Sequence, residues 1–313
     1  MSRIVRRTSE TVLSRRAAAG LLVLLQLAVA AALGRGQGWP GSSGDRALAA
    51  VLLAVQMVLL YAVADRIGGR RYALAAGLVL ALAPALLAKW YFITGGPNLD
   101  FKTVYRHQVL PTEYGLADRP QLVAACLVLA AIWLALARAP TTVWAAIASA
   151  GAIGGAVLLS PRTWPALAAP VLAAATTRRA APIAAGVATA GAALVVLALA
   201  RHVPHIPLGW HRMGLALGGL HEYAWSRRIL EYLPLAGVVG VARRSATAGL
   251  FVGMLFLSLV VFPLARPIFL TGYLEAMVPA LPVYFLLAAS IGFLWPRRVS
   301  QPAPAGAHVT SRQ

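Results

Sequence analysis

The sequence predicts an all-α, polytopic transmembrane helix bundle of about ten spans, with both termini in the cytoplasm. Three observations predict it. Hydrophobic residues make up 60% of the 313-residue chain and charged residues only 12%, with a mean hydropathy of +0.74. A soluble domain carries about 25% charged and about 45–50% apolar residues. The apolar residues fall into runs close to the roughly 20 residues that a helix needs to cross a bilayer. Basic residues recur at alternate turns between those runs.

The runs, in order, are 17–34, 47–65, 72–89, 121–137, 142–160, 164–177, 182–200, 229–242, 246–264 and 273–295. Those at 164–177 and 229–242 are short, and would be tilted less, extended by their flanks or half-inserted. Residues 1–16 form a basic cytoplasmic N-terminus, 17–296 the transmembrane domain with outer loops at 90–120 and 201–228, and 297–313 a Pro/Ala/Ser-rich tail expected to be disordered. Ser14-Arg15-Arg16 before an apolar run faintly resembles a twin-arginine signal. So many runs follow it that an anchor helix is the better reading.

Orientation follows from arginine. Arg3, Arg6, Arg7, Arg15 and Arg16 precede the first run. Arg66, Arg70 and Arg71, then Arg138, Arg178 and Arg179, Arg243 and Arg244, and Arg297 and Arg298 occupy alternate connections. Positive connections stay on the cytoplasmic side. An even number of spans then returns the C-terminus to that side.

Twenty-eight basic and nine acidic residues leave a net charge of +19 and a pI near 11.5. In a soluble chain that would point to nucleic acid. Here the arginines are scattered one to three at a time between apolar runs, so no nucleic-acid face forms. Lys89 and Lys102 are the only lysines. This arginine bias, together with abundant alanine, points to a GC-rich bacterial genome and hence to a bacterial cytoplasmic membrane. The single cysteine, Cys126, excludes an intramolecular disulfide and a cysteine zinc cluster. It reads as a small buried hydrophobe.

Ionisable groups near a bilayer are costly and tend to carry function. Asp45, Asp100, Glu113, Asp118, Glu222, Glu231 and Glu275 fall in the expected outer connections or at outer helix ends. So do His107, His202, His205, His211 and His221. Any chemistry is therefore expected at the outer face, unless these loops are polar only because they are long.

The segment 90–120 is the richest, reading WYFITGGPNLDFKTVYRHQVLPTEYGLADRP. On a helix, Lys102 and Arg106 share a face, with His107 beside them. Two cations and a histidine at a membrane surface suit a lipid phosphate or pyrophosphate, and Asp100 would orient them or act as a base. The alternative is a solvated interfacial loop anchored by Trp90, Tyr91 and Tyr105. In 201–228, His202, His205 and His211 have spacing of interest for a metal, but Pro204 and Pro207 prevent the regular helix that would align them. No metal and no cofactor are expected. Arg266 is a second candidate for a lipid-phosphate contact. Glu222 and Glu275 are candidates for an acceptor-side polar cavity.

Residues 45–86, DRALAAVLLAVQMVLLYAVADRIGGRRYALAAGLVLALAPAL, resemble the second and third spans of bacterial GT-C glycosyltransferases, relatives of the protein O-mannosyltransferases and lipid A aminoarabinose transferases. There an apolar span ends in a basic "GRR" turn and the next ends in an "LAP" step. Residues 150–179, AGAIGGAVLLSPRTWPALAAPVLAAATTRR, are similar to that family's paired helices with a break at the outer face. Residues 243–295, ending GYLEAMVPALPVYFLLAASIGFLW, are similar to its late span.

The resemblance implies a polyprenyl-phosphate-linked sugar as donor, drawn from among the membrane lipids. It implies inverting transfer at the outer face, an aspartate of the first outer loop as base, and basic residues on the donor phosphate. A carboxylate takes the acceptor's proton while cations stabilise the departing phosphate. Asp45 stands at the matching position, with Lys102, Arg106, His107 and Arg266 as phosphate ligands. The segment 34–45, GRGQGWPGSSGD, is much shorter than the family's first outer loop. Either Asp45 or Asp100 has taken the role, or the chain is a catalytically silent relative that acts as a partner or scaffold in envelope assembly. A lipid or solute transporter is the third reading. It is disfavoured because the mid-span positions carry almost no charge.

Overall fold

The computed structural model describes residues 2–35, 42–94, 119–136, 142–160, 234, 236–253 and 270–294. Among these residues every regular element is helical and there is no strand. The helices are α1 (Ser2–Arg35), α2 (Ser43–Gly68), α3 (Arg70–Thr94), α4 (Arg119–Ala135), α5 (Thr142–Leu159), α6 (Ala236–Arg244) and α7 (Leu270–Phe293). Residues 246–253 are also helical. The expected runs at 164–177 and 182–200 lie outside the described residues, as do most of the outer loops and the tail 297–313.

Local chemistry sets the ends of α2. The Ser42 backbone N–H donates to Asp45 Oδ2 at 2.9 Å, and the Asp45 N–H donates to Ser42 Oγ at 3.3 Å. This reciprocal capping box satisfies two donors that a helix start leaves open. At the other end the chain turns at Gly69, with φ of 79°, a region a side chain would strain. One residue thus suffices to separate α2 from α3. Helix α3 then continues through Pro84 to Thr94. It takes in Trp90 to Thr94, five residues beyond the apolar run 72–89.

Helix α2 lies at the centre and packs against α1, α3, α4 and α7. Met57, Leu60 and Val63 of α2 are fully buried together with Tyr72 and Ala76 of α3, Leu129 of α4 and Leu286 of α7. The opposite face of α2 exposes Leu48, Val51, Val55 and Val58, one stripe at helical spacing. Helix α2 is therefore apolar on both its packed and its outward face, the pattern of a helix that meets no water on either side.

Contacts fix the relative directions. Helices α2 and α4 run parallel. Asp45 meets Arg119 at one end, the Cys126 thiol donates to the Leu52 carbonyl midway, and Arg66 meets Trp133 at the other end. Helix α1 runs against α2, because Arg15 pairs with Asp65 while Leu22 and Met57 meet over Gly77 further along. Helix α7 runs against α3, with the buried Tyr72 hydroxyl donating to the Leu286 carbonyl at 2.6 Å and Leu294 against Gly68. Helix α6 lies close along α7. Ser290 Oγ donates to the Gly237 carbonyl at 2.9 Å, and a Cβ at Gly237 would collide with the Leu287 carbonyl. The short α4–α5 hairpin is joined by Ser149, which donates to the Ala131 carbonyl at 2.8 Å.

These directions gather Arg15, Arg66, Arg70, Arg71, Arg243 and Arg244 at one end of the described bundle. Asp45 and Arg119 stand at the other. Two stretches, Arg15–Gly34 and Ser43–Gly68, are long and apolar enough to cross a membrane.

Candidate functional site

At the end opposite the arginine cluster, where Arg46 and Arg119 stand, the first turns of two parallel helices converge. Asp45 is the third residue of its helix, ahead of the apolar run 47–65, and its position is fixed by the capping box. Arg119 opens α4. Its Nη2 lies 2.5 Å from Asp45 Oδ1. The two carboxylate oxygens are thus both engaged, Oδ2 by the Ser42 N–H and Oδ1 by the guanidinium. Both side chains remain partly open to solvent, 34% for Asp45 and 44% for Arg119.

The Ser42 backbone N–H and then the Ser42 hydroxyl hold the Asp45 carboxyl below its usual value; desolvation opposes them, and Arg119 adds a lesser lowering. Chemically, this is an ionised carboxylate that serves as a cap and counter-ion at rest. It becomes a better base when the guanidinium is drawn away, because loss of a positive neighbour raises carboxylate affinity for a proton.

Of the sequence-predicted site residues, Asp45 is brought to a cation, and that cation is Arg119. Asp100, Lys102, Arg106, His107, Glu222 and Arg266 lie outside the described residues. Glu275 falls in the second turn of α7, and Leu270, where α7 begins, stands at the helix end opposite Leu294. Among the described residues no three His, Cys, Asp or Glu side chains gather as a metal-ligand set.

Sequence reasoning missed two groupings. Arg119 was not singled out, although it directly precedes a Pro at a helix start. Its partnership with Asp45 depends on the register between α2 and α4, which no local pattern encodes. At the arginine-rich end, Arg15 of α1 lies 3.4 Å from Asp65 Oδ2 of α2. The signal was available there: Asp65 is an acid directly beside a cluster of arginines, an arrangement that calls for pairing.

Comparison with protein families, with curated proteins and with solved structures finds no match to this chain.

Proposed function

We propose that this chain is a membrane glycosyltransferase of the GT-C kind that its sequence resembles. It crosses the bacterial cytoplasmic membrane about ten times with both termini inside, and moves a sugar from a polyprenyl-phosphate donor to an envelope acceptor at the outer face. The observation that carries this reading is the meeting of Asp45 with Arg119 at the end of the bundle opposite the clustered arginines. Under the positive-inside rule that end is the outer one, where a lipid-linked sugar is presented. The outward apolar stripe of α2 and the two long apolar stretches support the membrane setting.

In this mechanism the donor phosphate competes with Asp45 for the Arg119 guanidinium. The freed Asp45 carboxylate accepts the proton of the acceptor hydroxyl as its oxygen attacks the anomeric carbon. Arg119, together with Lys102, Arg106, His107 and Arg266, neutralises the lipid phosphate as it departs. Asp100 is the alternative base. Glu222 and Glu275 are the candidates for polar contacts to the acceptor.

A second reading is favoured by one specific observation. Asp45 has both oxygens committed and its proton affinity lowered, as suits a structural cap. A catalytically silent relative serving as a partner in envelope assembly would keep such a residue for stability alone.

A transfer assay in membranes tests the choice. Radiolabelled polyprenyl-phosphate sugars are supplied to the wild type and to Asp45→Asn, Asp100→Asn and Arg119→Gln at matched protein levels. Label transfer that one aspartate substitution abolishes identifies the base. Transfer that survives both aspartate substitutions removes these residues from catalysis. A folded wild type that transfers label from none of the donors supports the silent relative.

A further inference from the structure

At the arginine-rich end, we propose a surface site for an anionic phospholipid with two phosphates, of the diphosphatidylglycerol kind, where α3, α6 and α7 meet. Arg71 and Arg244 hold the phosphates, and the exposed apolar residues Phe293, Leu78 and Val239 meet the acyl chains. The site is separate from the Asp45–Arg119 pair. It rests on the membrane reading and not on the transfer reading.

Packing brings the three helices together. Leu294, directly after α7, is buried against both Gly68, at the turn between α2 and α3, and Gly240 of α6. Arg71 follows Gly68 by three residues and Arg244 follows Gly240 by four, so both arginines stand at the end of α7. Both are exposed, and the site therefore needs no cavity to be reached. Phe293, the last residue of α7, is 52% exposed beside them, whereas Leu286 and Leu287 of the same helix are fully buried.

Charge selects an anion by count. Segments 14–18, 62–73 and 240–247 bring seven arginines to this end and one acid, Asp65, which Arg15 pairs at 3.4 Å. Within these segments one carboxylate cannot neutralise seven guanidinium groups. Arg70 and Arg243 make interactions within the protein, and the site asks nothing of them. A guanidinium meets a phosphate with two parallel N–H donors, a fit that a simple halide or a carbonyl does not offer.

The order of polarity selects a lipid over a soluble anion. On α3, exposed Leu78 lies seven residues beyond Arg71 on the same face. On α6, exposed Val239 lies about one turn before the Arg243-Arg244 pair. On both helices the arginine stands at the end and the apolar residue nearer the middle of the bundle. A phospholipid has the same order, with charge at the surface and chains within, and basic sites between helices on the cytoplasmic side suit anionic headgroups. A headgroup with two phosphates engages Arg71 and Arg244 together, and the second contact then forms at high effective concentration.

The full-length chain is first located by membrane fractionation and then extracted in neutral detergent. Native mass spectrometry reads retention of oleoyl forms of diphosphatidylglycerol, phosphatidylglycerol and phosphatidylcholine. The expected result is retention of diphosphatidylglycerol about tenfold above phosphatidylglycerol, the scale of one further hydrogen bond to a charged group. Phosphatidylcholine should be retained least. Arg71→Gln and Arg244→Gln should each remove the preference for two phosphates. Arg16→Gln deletes the same charge at the same end but from α1, which packs on α2 and α3, and should leave the preference intact. All three positions are exposed, and unchanged melting and monodispersity serve as the folding control.

A preference that Arg16→Gln lowers as much as Arg71→Gln is a response to net charge and overturns the proposal. So does equal retention of the two anionic lipids by the wild type. Displacement of the lipid by an equal concentration of its deacylated headgroup would assign the arginines to a soluble phosphodiester and overturns it too. A chain recovered in the soluble fraction overturns the membrane setting and the site with it, whereas a membrane-bound chain without the preference overturns the site alone.

Discussion

The guanidinium of Arg66 lies 4.1 Å from the centre of the Trp133 ring and donates through Nη1 to the Trp133 carbonyl at 2.5 Å. One side chain thereby ties the last turn of α2 to the last turn of α4, and donates to a carbonyl of that final turn. Arg66 is exposed, so its contribution is that of a surface cation–π contact plus one hydrogen bond to a helix terminus.

Replacing Arg66 should therefore cost modestly and in an informative order. Arg66→Lys retains the charge but loses the flat stacking and the fork geometry. Arg66→Ala loses both. We expect Arg66→Ala to lower stability by about 1 kcal/mol and Arg66→Lys by less. Thermal unfolding of the detergent-solubilised protein reads the difference. Equal stability of the alanine variant and the wild type would show that the contact contributes nothing.

Glycine substitutions should separate close helix contact from mere helix composition. A Cβ at Gly237 would strike the Leu287 carbonyl and the Ser290 hydroxyl, and backbone cannot move aside cheaply. A Cβ at Gly151 would meet nothing within 4 Å. Gly237→Ala is expected to destabilise by about 1–3 kcal/mol, the usual cost of overpacking. Gly151→Ala should be neutral or slightly stabilising, because alanine favours helix by roughly 0.8–1.0 kcal/mol over glycine. A Gly237→Ala variant as stable as Gly151→Ala would mean that α6 does not sit against α7 as described.

How much of this was legible in sequence depended on the kind of information. Apolar runs marked the helices, since seventeen or more such residues in a row leave a helix few alternatives. The basic Gly69-Arg70-Arg71 turn marked the end of α2, while the Ser42/Asp45 capping box at its start, though local chemistry, was not read from the sequence. The helical end of α3 lies five residues past the apolar run 72–89, since aromatic residues suit both a helix and a loop. The Asp45–Arg119 pair was not legible, and for Asp65 the sequence signalled a need for a cation but not that Arg15 would supply it. Such partnerships arise from the axial register of helices far apart in sequence, and hydropathy patterns carry no register. Buried Gln26 and Gln56 were hidden for a related reason: a single polar residue barely changes the hydropathy of the run around it.

The Asp45 carboxyl yields a pH prediction. Its proton affinity is lowered in the folded state, chiefly by the Ser42 backbone N–H, then by the Ser42 hydroxyl and by Arg119. Such a group stabilises the fold above its unfolded pKa of about 3.9, and that contribution fades as pH falls through the lower folded value. The melting-temperature gap between wild type and Asp45→Asn should thus stay constant from neutral pH to about pH 5 and close below about pH 4. Comparing the two proteins cancels the other acids. A gap independent of pH down to the acid limit would show that the Asp45 charge does not stabilise the fold.

The membrane orientation can be tested through the only cysteine. Cys126 is buried and its thiol donates to the Leu52 carbonyl at 3.5 Å, so Cys126→Ser keeps a donor of similar size there. On that background, Ser43→Cys places a thiol at the exposed start of α2, beside Asp45. Ser300→Cys places one beyond the last arginine pair, Arg297-Arg298. The positive-inside rule puts the first outside and the second inside. A membrane-impermeant maleimide applied to intact spheroplasts should label Ser43→Cys fully and leave Ser300→Cys unlabelled until the membrane is opened. Labelling of Ser300→Cys in sealed cells, with Ser43→Cys protected, would invert the bundle and move the Asp45–Arg119 pair to the cytoplasm. Labelling of both would give the chain an even number of crossings between these positions, instead of the odd number expected.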